Sequence, residues 1–253
     1  YDSDSYLQAF TNLLKLKPNA VIIAPNFYNE TRILVDKLEA LNIPYLFINI
    51  DIEGFKNLAF VGQDSYMAGY MAGKLMHLSV PKPSEFLIIQ ASKNITKNNA
   101  VSNRIEGFND YFMKNKVHSK TQILKIDNLN NPSETKEKIN LYLKEHSDIT
   151  GVFVPSSRIH LVVDYLETEH LNKLELIGFD NTPQNISCLL NDSVSFLISQ
   201  KPFDQGYESV RLLAEYLIKN DIQNKKLYMP IDILTKENVK YNERHEFMHL
   251  KDA

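Results

Sequence analysis

The sequence is poor in the features that would assign it early to a class. Its one cysteine, Cys188, excludes an internal disulfide and any cysteine-rich metal site in these 253 residues. No run approaches the roughly 18 consecutive apolar residues of a membrane span. No basic stripe is present either: 28 Lys and Arg against 31 Asp and Glu give a formal net charge of -3 with the signs interspersed, so this segment is not expected to touch DNA itself. There is no low-complexity tract and no Pro/Gly-rich linker, so any two lobes must be joined by short crossings rather than by a tether. G-x-G-x-x-G and G-x-S-x-G are both absent, which leaves dinucleotide-binding and serine-hydrolase readings without their anchors.

What is present is a regular alternation. The 43% of hydrophobic residues is enough for an ordinary core, in one large domain or two modest lobes. Apolar runs at 20–25, 45–50, 58–62, 86–91, 122–127, 151–155, 174–179, 194–199 and 226–234 read as strands. Between most of them lie segments of helical period, with Leu34, Leu38 and Leu41 on one face, Val101, Ile105, Phe108 and Phe112 on another, and Tyr207, Val210, Ala214 and Leu217 on a third. Asn131 and Pro132 open a further helix as N-cap and first helical residue. Repeated strand–helix–strand units predict an α/β fold whose mostly parallel sheet is covered on both faces. The opening "YDSDSYLQAFTNLLKLKPN" has no Met and no signal-peptide pattern, and predicts a start inside a larger domain.

In such sheets ligands collect beyond the carboxyl ends of the strands, where loop amides and helix N-termini gather. The polar residues at those places are Asn26, Asn49, Asp51, Asp64, Ser92, Ser156, Ser157, Asp180 and Gln200. Two motifs compete with them. "GYMAGKL" at 69–75 is one residue short of a phosphate loop and has Leu75 where a hydroxyl is needed; Ala68 with Ala72 and Gly69 with Gly73 instead give a smooth helix face suited to lying close to the sheet. "HEFMH" at 245–249 matches a zinc-binding pattern but leaves only four residues to supply a further ligand, so a chance match in a charged tail is expected and no metal is assigned.

Five stretches read together carry a resemblance: "FVGQDSYMAGYMAGKLM" (60–76), "NRIEGFNDYF" (103–112), "LIGFDNTPQN" (176–185), "ISQKPFDQGYESVRLLAEYL" (198–217) and "ILTKENVKY" (233–241). In this order they resemble the type I periplasmic-binding-protein fold, as used by sugar-binding proteins of transporters and by the effector domains of LacI-family transcription regulators. The resemblance implies two lobes, residues 1–63 with 201–229 and residues 64–200 with 230–253, closing on a small ligand. It also implies that the first strand, first helix and second strand of the N-terminal lobe are absent from this stretch. Carried over position by position, it points to Asp64, Arg104, Asp180 and Gln200 as sugar contacts. Asn49 stands where the family often has an aspartate, Ile50 where it has an arginine, and Ser156-Ser157 where it has Asn-Asp. Tyr66, Phe55 and Phe203 are possible stacking walls.

The chemistry of these residues agrees with that role, since a carboxylate accepts from two hydroxyls, a guanidinium fork donates to two oxygens and an amide does both. Each also has a plainer reading: Asp64 or Ser65 as a helix cap, Asp180 as a turn residue, Arg104 in a surface ion pair, and Gln200 serving backbone. The resemblance implies a cytoplasmic LacI-type regulator, homodimeric and not an enzyme, without cofactor, reaching DNA only through an upstream domain. An exported sugar receptor of a transporter or of a sensor kinase is the alternative.

Overall fold

A computed structural model describes residues 2–81, 84–91, 100–126, 131–222 and 225–241. In chain order the elements are α1 (Ser3–Lys15), β1 (Val21–Ile23), α2 (Tyr28–Ala40), β2 (Tyr45–Ile48), β3 (Phe60–Gln63), α3 (Ser65–Ser79), β4 (Ser84–Ala91), α4 (Ala100–Lys114), β5 (Ser119–Ile126), α5 (Pro132–Glu145), β6 (Ile149–Phe153), α6 (Ile159–Tyr165), α7 (Thr168–Leu171), β7 (Glu175–Phe179), α8 (Pro183–Leu190), β8 (Phe196–Ser199), α9 (Pro202–Lys219), β9 (Lys226–Met229) and β10 (Asp232–Leu234). Ser92 and the "HEFMH" segment lie outside the described residues.

The described residues gather into two compact units, one built from 1–63 and 201–230, the other mainly from 64–91, 101–200 and 231–241. The first holds a parallel sheet in the order β1-β2-β3-β9. Alternation along its strands sends Tyr45 and Phe47 to the face covered by α1 and α2, where they meet Leu34 and Leu38. Leu46 and Val61 point to the other face, against Leu212 and Leu213 of α9. The second unit holds a sheet in the order β10-β8-β7-β6-β4-β5, parallel except for β10 on β8. Leu87, Val152, Leu176 and Leu197 face α5, α6 and α8, while Phe86, Phe153, Ile177 and Ile198 face α3 and α4. Burial on both faces is why these strands read as unbroken apolar runs.

Three expectations need correction. The run 226–234 is not one strand. Pro230 has no N–H to give to a ladder, and the chain leaves the first sheet as β9 and joins the second, antiparallel, as β10. On α9 the stripe of Tyr207, Val210, Ala214 and Leu217 is exposed, because Leu212 and Leu213, with Gln205 and Ser209, face the sheet instead. Ser209 is buried without penalty, since its hydroxyl donates to the Gln205 carbonyl at 2.7 Å. Finally, the small-residue face of α3 divides its work: Ala68 and Ala72 enter the core with the sheet, whereas Gly69 and Gly73 meet α4. A Cβ on Gly69 would stand 2.0 Å from the Arg104 carbonyl oxygen, and one on Gly107 of α4 would stand 2.0 Å from that of Tyr66. The two helices touch backbone to backbone, and this contact sets where Arg104 begins.

Candidate ligand site at the strand ends of the second unit

Arg104 sits in the second turn of α4 and is only 4% exposed. A buried guanidinium needs partners for its donors, and the strand ends supply them. One terminal nitrogen donates to the Pro155 carbonyl at 3.0 Å, just past β6, and the other to Gln200 Oε1 at 2.5 Å, just past β8. The guanidinium carbon lies 3.8 Å from the ring centroid of Phe179, the last residue of β7. Among the described residues, buried Arg104 Nε has no hydrogen-bond partner, and the same holds for the Ser156 hydroxyl one residue beyond Pro155.

Asp180 follows β7 with φ of 69°, a left-handed conformation that aspartate tolerates better than most residues. Its N–H donates to the Ile198 carbonyl at 2.9 Å, and its Oδ1 accepts from Gln200 Nε2 at 2.5 Å. Gln200 therefore bridges a carboxylate and a guanidinium, giving with its amide nitrogen and accepting with its oxygen. Burial pushes the Asp180 carboxyl above the ordinary carboxylate range, although Arg104 and the Gln200 hydrogen bond both pull it down. Burial likewise lowers Arg104 to about 10 against the opposing pull of Asp180, so the guanidinium stays charged at neutral pH.

Arg104, Asp180 and Gln200 are thus brought together by one hydrogen-bonded chain. Asp64 has the capping role: its Oδ1 accepts from the Met67 N–H at 2.9 Å and starts α3. Ser156 lies beside the Pro155 carbonyl that receives Arg104. Asn49 and Phe203 belong to the first unit, Asn49 just past β2 with φ of 69° and Phe203 half-exposed near the start of α9. Tyr66 and Phe55 are engaged elsewhere. The Tyr66 hydroxyl donates to Asp110 at 2.8 Å and accepts from Lys114 at 2.6 Å, and Phe55 packs edge-on against Phe47 with its ring beside Arg32. Sequence reasoning overlooked Asn185, whose fully buried side chain ties together the turns after β6 and β7. Its only visible signal was a position two residues after Pro183.

Buried polar side chains gathered past the carboxyl ends of a parallel sheet define a ligand-binding class of α/β fold. Within that class the chain belongs to the family described as periplasmic binding protein domain, whose model matches residues 1–221. Among solved structures it is similar to a candidate LacI transcriptional regulator from Bacteroides fragilis, at 30% identity over 95% of this chain and 83% of that one, with a TM-score of 0.80. It shares its fold with a glucose-galactose binding protein from Geobacillus stearothermophilus, at 23% identity, 94% and 84% coverage and a TM-score of 0.80. The same holds for a transporter solute-binding protein from Burkholderia graminis in complex with D-arabinose, at 18% identity, 94% and 82% coverage and a TM-score of 0.81. No curated protein sequence matches the chain.

Proposed function

We propose that this chain is the effector-binding domain of a LacI-type transcription regulator, and that Arg104, Asp180 and Gln200 hold a small sugar or related polyol. The observation that carries the reading is the Arg104 guanidinium, buried and charged at the ends of three strands, with Nε unpartnered among the described residues. An unmade hydrogen bond on a buried charged group is costly, and a sugar hydroxyl is an acceptor of the right kind to satisfy it. The Ser156 hydroxyl, equally unpartnered, adds a second group that a polyol would satisfy. Asp64, Asn49 and Phe203 join the proposal on the resemblance alone. A site built to bond hydroxyls rejects an analogue lacking one by about 10⁴ or more, because its own polar groups are then left unpaired.

The regulator reading is supported by the Bacteroides fragilis neighbour, the most similar in sequence of the three described. Effector binding then biases a homodimer between states of different affinity for DNA, through a DNA-binding domain outside this chain. The sugar must bind the two states unequally, or nothing is transmitted. A second reading, an exported sugar receptor, is favoured by the solute-binding proteins that share the fold. The gene upstream of residue 1 separates the two: a helix-turn-helix there supports the regulator, and an export signal supports the receptor. The ligand is tested by melting the intact protein with D-glucose, D-galactose and D-arabinose. A bound sugar at 100 times its dissociation constant stabilises by about 2.7 kcal/mol, and Asp180→Ala is expected to abolish that shift.

A further inference from the structure

We infer that Asn185, whose amide nitrogen bonds backbone carbonyls of the site's turns, is a positioning residue that sets the selectivity of the site; this rests on the proposed sugar site. Asn185 lies in the first turn of α8, after the Thr182 cap and Pro183, and none of its surface is exposed. A buried amide has two N–H donors and one carbonyl acceptor to satisfy. Here Nδ2 is within hydrogen-bond distance of three backbone carbonyls: Phe179 at 2.9 Å, Asp180 at 3.0 Å and Ser157 at 3.1 Å. Two N–H groups serve three acceptors, so one of them is shared. On its other side Oδ1 accepts from the His160 ring Nδ1 at 2.8 Å and from the His160 backbone N–H at 3.3 Å.

The three carbonyls are not a random sample of the backbone. Ser157 follows Ser156, whose buried hydroxyl has no partner among the described residues, and the Phe179 and Asp180 carbonyls lie on either side of the Cα that carries the site carboxylate. Asp180 is left-handed at φ of 69°, a conformation that costs even an aspartate something and that neighbouring hydrogen bonds help to hold. Both backbone polar groups of Asp180 are held, the N–H by the Ile198 carbonyl and the carbonyl by Asn185. One amide therefore fixes the turns after β6 and β7 relative to each other and to the start of α6. That fixes the separation of the Ser156 hydroxyl from the Asp180 carboxylate, the distance against which a polyol's hydroxyls are measured. Displacements of this kind weaken cognate binding more than the binding of a poorer-fitting analogue.

The test is a calorimetric titration of the intact protein and its Asn185→Ala variant with D-glucose, D-galactose and D-arabinose, taking the tightest binder and its epimer. In the variant the tightest sugar is expected to lose affinity about 10- to 100-fold, by analogy with the loss when residues that orient metal ligands are removed. The ratio of cognate to epimer affinity is expected to shrink toward one. A merely structural role would lower the fraction of competent protein and weaken every sugar by the same factor, leaving that ratio unchanged. An unchanged ratio, or unchanged affinities, overturns the inference while leaving the sugar site intact. Binding of no sugar by the wild-type protein removes the sugar site and the inference with it. Should Asn185→Ala not fold, His160→Ala removes the ring donor to Asn185 Oδ1 and leaves only the backbone N–H there, and the same shrinkage of the ratio is required of it.

Discussion

Asp180 and Arg104 are two ionisable groups taken out of water with a neutral amide between them. Burial disfavours the charged form of each, so each depends on the other's field and on Gln200. The folded pKa of Asp180 is raised, so the native chain holds the proton more tightly than the unfolded chain does. The stability this confers is present in acid, below the ordinary aspartate pKa, and is lost as pH rises through the raised value. Asp180→Asn keeps an acceptor for Gln200 and does not titrate, so its stability relative to wild type is expected to rise with pH. Urea midpoints of the two proteins from acid to neutral pH measure this; a difference that is flat, or that moves toward wild type, contradicts it. Much of this cluster was legible in the sequence: Asp180 and Gln200 are polar residues immediately past apolar runs, and the family resemblance pointed to Arg104, three residues before Gly107. The depth of Arg104's burial was not legible, and neither was the work of Asn185. An asparagine after a proline looks like turn chemistry until the carbonyls around it are known.

At the level of elements, the α3–α4 contact decides whether Arg104 reaches the strand ends. Gly107→Ala should gain about 1 kcal/mol of helix propensity, but its Cβ would meet the Tyr66 carbonyl oxygen at 2.0 Å. Backbone cannot rotate away as a side chain can, so a net loss of about 1–3 kcal/mol is expected, together with weaker sugar binding. Gly206 of α9 is the matched control, since nothing lies within 4 Å of its added Cβ. Gly206→Ala is expected to stabilise by about 0.5–1 kcal/mol. Denaturant midpoints of both variants test the pair, and destabilisation by both or by neither contradicts the packing described. The recurrence of Ala68, Gly69, Ala72 and Gly73 made a close approach legible. It did not say what approached, because neighbouring positions on one helix face can point at a sheet and at another helix at once. The α9 stripe failed for a related reason: period reports that a face is apolar and says nothing about which face the sheet takes. In α5 the expected start is present with Pro132 at the first position, while the Asn131 side chain donates to Glu134 rather than capping backbone.

For the molecule as a whole, the alternation of apolar runs with helical segments was enough to read an α/β chain of mostly parallel sheets, and the order of five short stretches pointed to the family that the chain belongs to. The transfer of the chain between its two sheets at Pro230 was hidden, because 226–234 is apolar on both sides of the break. The polyol is proposed to bind the buried donor–acceptor chain of Arg104, Gln200 and Asp180 at the strand ends of the second unit. The decisive measurement is a calorimetric titration of the intact wild-type protein and of Asp180→Ala with D-glucose, D-galactose and D-arabinose. The expected result is saturable binding of at least one sugar by the wild type and none by Asp180→Ala. Binding of none of the three by the wild type at millimolar sugar, or equal binding by both proteins, would contradict it.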